Sequence, residues 1–226
     1  MLRPLSEGVF VREVPFRTGG MELGGRMTVI RLPDGGLWIH SPVRMDAETR
    51  AAVDALGPVR FLVAPNVMHH VHLGDWAAAY PAARVVAPAG LRAKRPDLRI
   101  DGELTETPDP GYAAVFTQQR MQGMPRLDEF LFLHRPSRTL LVTDLAFHIR
   151  ESSSWLTRTY LKLNRTYGKL APTVLLKSLV KDKAALRTSL EGVLGWDFER
   201  VVVCHGEVLE RGGREALRDG FAWLQA

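Results

Sequence analysis

The chain has 226 residues, of which 46% are hydrophobic and 24% are charged. A chain of this length can bury a substantial core and lies near the upper end of single-domain size, so we expect one domain over residues 1–226. The single cysteine, Cys204, excludes an internal disulfide and any zinc site built from several cysteines. A metal site would therefore use histidine and carboxylate ligands.

Hydropathy and charge narrow the expected location and partners of the chain. The N-terminal residues contain no apolar stretch long enough for a signal peptide, and no segment reaches the roughly 20 apolar residues of a membrane span. We therefore expect a soluble, cytoplasmic protein. The formal net charge of +5 would attract polyanions, but no base-reading motif accompanies it, which argues against nucleic acid as a partner.

The N-terminal part of the chain alternates between strand and helix patterns. Pro and Gly residues supply a hairpin turn at 33–36, and Gly57-Pro58 ends the first helix. The predicted elements are strands over 8–14, 27–32 and 37–40, a helix over 46–56, a strand over 59–64, a helix over 76–80, a strand over 85–87 and a helical turn over 90–95.

A second strand-rich block and a long helical stretch follow. We expect antiparallel pairing in the block, because a turn at 135–138 joins its last two strands. The predicted elements are strands over 113–118, 129–134 and 139–143, mainly helix over 154–194 with an interruption at Pro172, a strand over 200–204 and a helix over 213–224. This alternation favours an α/β class.

Three polar side chains follow apolar strands of this pattern: His70, Asp144 and His205. The carboxyl ends of strands are where α/β folds place ligands. A carboxylate buried there needs a metal, hydrogen bonds or a cation. Imidazole and carboxylate together suit zinc, iron or manganese. The set predicts a metal site, although each histidine could instead bond a backbone carbonyl and Asp144 could cap a turn.

Other residues nearby differ in what they could contribute. His72 and His148 lie close enough in sequence to serve as further ligands. Cys204 precedes His205, but neighbouring residues of a strand point to opposite faces, so we interpret it as a core cysteine. The chain has no phosphate-binding glycine loop, dinucleotide fingerprint or serine nucleophile elbow, so metal chemistry is the catalytic signature that its pattern offers.

The order of these features resembles the metallo-β-lactamase superfamily, with an N-terminal hairpin, a ligand loop after a strand, a strand ending in Asp and a late strand ending in His-Gly. The runs APNVMHHVHLGDW, YPAARVVAP, SRTLLVTDLAF and VVVCHGEV are similar to an uncharacterised bacterial and plant branch, filed as a domain of unknown function. The resemblance covers nearly the whole chain. It implies an α/β (α+β) fold, a four-layer αββα sandwich with the site along one edge of its sheets.

The resemblance also implies which ligands are kept. The family's bridging aspartate matches Asp144, its last histidine matches His205, and in the first ligand loop only His70 falls on a ligand position with a coordinating side chain. The remaining ligand positions carry side chains that bind zinc poorly: Asn66, Met68, Val71 and Met124. This pattern argues against a dinuclear centre.

A mononuclear centre remains compatible with the resemblance. His70, Asp144 and His205 would hold one ion, with His72 or His148 as a fourth ligand, and a bound water would be the nucleophile. Glu207 or Asp75 would orient that water, in addition to any catalytic part played by Asp144.

The sequence leaves three hypotheses about function, two of which belong to different classes of protein and one of which concerns a binding surface. The first is a metal-dependent hydrolase-like protein acting on a small molecule such as a phosphoester, lactone or thioester. The second is a catalytically silent binding or scaffold protein that has lost its metal. The third uses the basic stretch at 155–183, with Trp155, Tyr160 and Tyr167, as a contact for a membrane surface or a polyanion.

Overall fold

The computed structural model describes residues 1–225, in which two mixed β-sheets pack face to face and helices cover both outer faces. The strands, in chain order, are β1 (Arg3–Ser6), β2 (Val9–Val14), β3 (Arg17–Thr18), β4 (Met21–Glu22), β5 (Gly25–Arg31), β6 (Leu37–His40), β7 (Val59–Val63), β8 (Arg84–Ala87), β9 (Gly102–Glu103), β10 (Phe116–Arg120), β11 (Phe130–His134), β12 (Thr139–Val142) and β13 (Arg200–Val203). The helices are α1 (Ala47–Asp54), α2 (Leu73–Ala79), α3 (Ala89–Lys94), α4 (Trp155–Leu163), α5 (Val174–Ser178), α6 (Lys183–Leu194) and α7 (Gly213–Gly220), followed by a 3-10 turn (Ala222–Leu224).

The first sheet has seven strands in the order β1-β2-β5-β6-β7-β8-β9. Its pairing is antiparallel from β1 to β6 and parallel from β6 to β9. Gly35, with φ +81°, gives the tight turn between β5 and β6 the left-handed conformation that L side chains disfavour. Strands β3 and β4 form a separate small hairpin.

The second sheet has four strands in the order β10-β11-β12-β13. The predicted antiparallel pairing of β10, β11 and β12 is confirmed, and β13 then joins β12 in parallel. Residues 113–115 had been predicted as strand. They lie instead in a helical turn, because Ala113 donates to the Asp109 carbonyl and Val115 to the Tyr112 carbonyl.

Three buried clusters account for the four layers. The central one joins side chains of both sheets, including Trp38, Phe61, Phe132 and Leu141. A second packs the outer face of the first sheet against α1, α2 and α3, and a third packs the second sheet against α6 and α7. Apolar surface is thus removed from water on both faces of each sheet, the main favourable contribution to folding.

The predicted helical stretch over 154–194 consists of α4, α5 and α6. Pro172 lies between α4 and α5, as its missing N–H requires. Each helix begins at a side-chain cap, from Ser154, Thr173 and Asp182 respectively. Across residues 1–225, no helix combines the length and apolar character that crossing a bilayer demands.

Candidate metal centre

Three side chains converge at one edge of the sandwich: His69, Asp144 and His205. Asp144 and His205 follow β12 and β13, which run in parallel and therefore end at the same edge. His69 lies in the loop between β7 and α2. One ligand atom from each residue lies within 4.8 Å of the others. This is the geometry of a compact three-ligand cluster.

Asp144 is the centre of the group. Its Oδ2 lies 3.2 Å from Nε2 of His69, and its Oδ1 lies 3.4 Å from Nε2 of His205. Two ligands that are each about 2.1 Å from a tetrahedral zinc ion lie about 3.4 Å apart. The observed separations therefore suit a shared ion, as they also suit direct hydrogen bonds between imidazole and carboxylate.

Bonds to other parts of the chain orient the ring of His205. Its Nδ1 donates to the carbonyl oxygen of Gly24 at 2.7 Å, which leaves Nε2 directed at Asp144. The buried guanidinium of Arg26 donates to the carbonyls of Val203 and Gly206, on both sides of His205. An imidazole whose second nitrogen is bound to a carbonyl is the usual arrangement of a metal-ligating histidine.

The loop that carries His69 is shaped by Asn66. The side-chain oxygen of Asn66 accepts from the backbone N–H groups of Met68 and His69, both at 2.8 Å, and so closes a tight turn. The Nδ1 of His69 lies 2.6 Å from the hydroxyl of Ser41, which follows β6. These contacts direct Nε2 of His69 toward Asp144.

A buried carboxylate, Glu129, supports the turn that carries Asp144. Its two oxygens accept from the backbone N–H groups of Thr143, Asp144 and Leu145 at 2.8 to 3.0 Å. The amide of Asn66 bridges the two acids, donating to Glu129 at 3.1 Å and to Asp144 at 2.8 Å. Asn66 thus links the His69 loop to the Asp144 turn.

Electrostatics favour an ionised Asp144. Burial alone would raise its pKa, but the charge of His69 and hydrogen bonds from His205 and His69 hold the pKa well below its ordinary value. Burial would lower the pKa of His69, yet Asp144, and after it the thiol of Cys204, raise that pKa well above its ordinary value. These opposite shifts favour an ionised Asp144 beside a protonated His69.

Opposing effects act on the pKa of Glu129. Burial, followed by the charge of Asp144, raises the pKa of Glu129 to about 7. The three backbone donors and the Asn66 amide favour its ionised form. An isolated carboxylate in this position would be strongly destabilising, so the donors are what make its burial tolerable.

The structure does not bring His70 into the group, although sequence reasoning had placed it there. Its Nδ1 lies 3.1 Å from the guanidinium of Arg95, and burial together with the charges of Lys94 and Arg95 lowers its pKa. The reason is the Asn66 turn. In an extended loop, residues 66, 68 and 70 would share a face, whereas the turn directs His69 inward instead.

The two proposed extra ligands also lie outside the compact group. His72 precedes α2 and makes no capping bond with its side chain. His148 is buried, and its Nδ1 donates to the carbonyl of Glu207 at 2.9 Å, while its backbone N–H donates to the carbonyl of His205. His148 therefore contacts the loop that carries His205.

The two acids predicted to orient a water are placed differently from each other. The carboxylate of Glu207 accepts from the backbone N–H groups of Arg150 and Glu151, at 2.8 and 3.3 Å, and so caps the loop after His148. Asp75 is exposed in the first turn of α2. The structure brings neither of them into the compact group with Asp144.

Cys204 and Met124 are both buried. Met124 packs in the hydrophobic cluster between the second sheet and its helices. Cys204 has a free, buried thiol, as expected for a core cysteine.

Sequence reasoning did not single out His69, Ser41 or Glu129. A usable signal existed for Glu129, because an acidic residue at the start of the strongly apolar strand FLFLH must find donors or remain unsatisfied. For His69 the signal was weaker. Only the asparagine three residues earlier, a residue that forms side-chain turns, indicated that the loop would not be extended.

A cleft of about 490 Å³ opens beside the strand end that carries His205. Several carboxylates and two guanidinium groups line it. Arg26 and Glu13, which form an ion pair at 2.9 Å, stand on one side of it. Cys204 and Gly206 also line this cleft, so it adjoins the candidate centre.

A family model described as a domain of unknown function, DUF4336, matches residues 19–91. No curated protein matches the chain.

Solved structures match it over its full length. A metallo-beta-lactamase from Pontibacter korlensis is 12% identical, with a TM-score of 0.69 over 100% of this chain and 98% of that one. The metallo-beta-lactamase FIM-1 from Pseudomonas aeruginosa in its mono-zinc form is also 12% identical, with a TM-score of 0.68 over 100% and 96%. The metal-soaked Flv1 flavodiiron core from Synechocystis is 13% identical, with a TM-score of 0.69 over 100% and 60%.

These likenesses agree with the two stacked sheets and the outer helices. The predicted αββα sandwich is confirmed. The chain therefore has the metallo-β-lactamase fold.

Proposed function

We propose that this protein is a divergent metal-dependent hydrolase-like enzyme with a single-metal centre formed by His69, Asp144 and His205. The observation that carries the proposal is the convergence of these three ligand atoms within 4.8 Å at the edge of the sandwich. The substrate would be a small molecule. Phosphoesters, lactones and thioesters are the classes that such a centre could hydrolyse.

The residues around the group are suited to holding an ion. Gly24 and Ser41 fix the two imidazoles through their Nδ1 atoms, so both Nε2 atoms remain directed at Asp144. Asn66 and the turn supported by Glu129 fix the carboxylate. Ligands oriented in this way lose little freedom on metal binding, which favours affinity. Zinc, iron and manganese all accept this donor set.

Each residue would have a defined part in the chemistry. A bound ion would supply a water whose pKa is lowered toward neutrality. His69 would give up its proton when it becomes a ligand, because only the neutral imidazole coordinates. Phe16 and Phe147 pack against the ring of His205, with ring centroids 5.6 and 4.7 Å away, and would exclude bulk water from that side.

A second function has its own supporting observation. Asp144 already has partners without any ion, since His69, His205 and Asn66 all lie within 2.8 to 3.4 Å of its oxygens. A protonated His69 beside Asp144 is electrically balanced. A catalytically silent protein could therefore keep this cluster as a structural ion pair.

The deciding experiment is the metal content of protein purified without chelator and without an affinity-tag metal. We expect about one ion per chain in the parent protein and a loss in the His69→Ala plus His205→Ala variant. His70→Ala is the matched control, because it removes the adjacent imidazole and should leave the metal content unchanged. Folding of each variant is verified by circular dichroism.

The outcomes separate the two functions. One ion per chain, lost with His69 and His205 but not with His70, supports the single-metal centre and directs a screen of phosphoester, lactone and thioester substrates. Parent protein without metal, even after incubation with zinc, iron and manganese salts, supports the silent protein. Loss of metal in His70→Ala alone would mean that the metal is bound at His70 and not by the cluster described here.

A further inference from the structure

Helices α4 and α5 expose large apolar side chains that no other described part of the chain covers. Leu163 is 79% exposed, Trp155 69%, Leu175 64% and Val174 56%. Isolated exposed apolar residues are ordinary, but a group of this size within 21 residues marks an interaction site. We name these four residues, with the segment 155–181 that carries them, the α4–α5 surface.

The two helices are joined so that the end of α4 lies beside the start of α5. Trp155 and Leu163 lie eight residues apart on α4 and share one face, while Thr157 and Leu161 are buried on the other. At the junction, the side-chain oxygen of Asn164 accepts from the backbone N–H of Val174 at 3.0 Å. This bond brings the end of α4, with Leu163, to the start of α5.

All charged residues of the α4–α5 surface are basic. Between residues 155 and 181 the sequence contains six basic residues and no Asp or Glu. Across residues 1–225, no ion pair with a carboxylate involves any of the six. The six are Arg158, Lys162, Arg165, Lys169, Lys177 and Lys181. Their charge is therefore available to an anionic partner.

We propose that the α4–α5 surface binds the surface of a membrane that contains anionic lipids. An amphipathic helix with Trp and Leu on one side and Lys or Arg beside them is the pattern of interfacial binding. Tryptophan favours the boundary between headgroups and acyl chains. Long basic side chains can reach the lipid phosphates while their stems lie along apolar surface.

The same contacts argue against nucleic acid as the occupant. Tyr160 and Tyr167, which the sequence had offered as stacking residues, pack inward against the small cluster of Leu23, Ile149 and Leu161. Lys162 lies over the ring of Tyr167, 5.5 Å from its centroid. Within residues 155–181, Trp155 alone remains exposed as an aromatic platform, whereas single-strand binding relies on successive stacked bases.

The test is co-sedimentation of the full chain with vesicles. One set contains phosphatidylcholine alone and the other phosphatidylcholine with about one third phosphatidylserine. We expect binding to the anionic vesicles that is at least about tenfold stronger, that weakens at higher salt, and that shifts the emission of Trp155 to shorter wavelength. Trp155→Ser plus Leu163→Ser should reduce the binding about tenfold or more.

A second pair of variants tests the charge separately. Lys169→Gln plus Lys181→Gln should weaken binding to anionic vesicles several-fold. Arg44→Gln plus Arg126→Gln is the matched control, because it makes the same charge change at exposed positions outside the surface and should have a much smaller effect. Circular dichroism and thermal melting verify that each variant is folded.

Four results would overturn the proposal. They are absence of binding to both vesicle types, equal binding to both, full binding by the Trp155 and Leu163 variant, and a dimer in sedimentation that this variant converts to monomer. The last result would mean that a second copy of the chain covers the surface. Salt-sensitive binding of single-stranded RNA without vesicle binding would likewise identify a different occupant.

Discussion

The loops after β12 and β13 differ from the loop after β7 in how they deliver their side chains to the centre. Asp144 and His205 each come two residues after one of the paired parallel strands β12 and β13, so the sheet register itself positions them. His69 comes six residues after β7, and side-chain bonds from Asn66 and Ser41 position it. Strand ends are thus readable from a sequence, whereas a loop shaped by side-chain bonds is not.

The largest expected effect is on stability, and it concerns the turn after β12 that carries Asp144. Glu129→Ala removes the acceptor of three buried backbone N–H groups around Asp144. Because each unsatisfied buried donor is costly, we expect the free energy of unfolding to fall by about 4 kcal/mol. Urea denaturation measures this loss. Glu191→Ala, on the exposed side of α6, is the control and should change the free energy by less than about 0.5 kcal/mol.

The buried His40 at the end of β6 predicts that the stability of the protein depends on pH. Both its ring nitrogens lack hydrogen-bond partners among the described residues, and burial, followed by the charge of His69, lowers its pKa to about 3. In the unfolded chain the pKa is about 6.5. Between those values the unfolded chain binds a proton that the folded chain does not, so stability falls as the pH decreases.

This contribution approaches about 1.4 kcal/mol for each pH unit and amounts to about 2.3 kcal/mol between pH 6.5 and 4.5. His40→Leu removes the titrating group and should flatten the curve by that amount. The measurement is chemical denaturation of both proteins across this pH range. Parallel curves for parent and variant would mean that His40 stays protonated or solvated in the folded protein.

Asn66→Ala tests the loop side of the comparison. The variant loses the turn that directs His69 inward and the donor shared by Glu129 and Asp144. We expect about 2 kcal/mol lower stability, and metal affinity lower by between about tenfold and a hundredfold. Zinc competition with a chromogenic chelator gives the affinity. An unchanged affinity would mean that the loop keeps its shape without the asparagine.

The smallest effect is expected at Ser41. Ser41→Ala removes one hydrogen-bond partner of the His69 imidazole and leaves the other contacts of the loop in place. Metal affinity should fall about tenfold, with stability changed by less than about 1 kcal/mol. Ser153→Ala, whose hydroxyl bonds Glu22 on the exposed β3–β4 hairpin, is the control with no expected effect on metal affinity.

The sequence predicted the fold more fully than the centre. Apolar runs bounded by turn signals identified most strands. Asp144 and His205 were identified because each follows such a run. His70 was predicted as a member of the group, whereas the structure has His69 there. The turn closed by the Asn66 side chain directs residue 69, and not residue 70, inward.

The residues that support the centre were not predicted from the sequence, and one physical reason applies to all of them. Ser41, Gly24 and Arg26 contact the centre from β-strand ends and turns far away in the chain, and no local pattern marks such a contact. Glu129 is satisfied by backbone donors that exist only after β11 and β12 have paired. Side chains that act through tertiary hydrogen bonds become visible only when the strands are in place.

The bond between Gly24 and His205 joins residues 181 positions apart, nearly the full length of the chain. During synthesis the N-terminal strand pair is complete long before His205 leaves the ribosome. The imidazole is therefore among the last parts of the centre to arrive, and contacts of such long range form late in folding. An ion could meet its full ligand set only after β5 and β13 have been brought together, so metal loading would follow the assembly of both sheets.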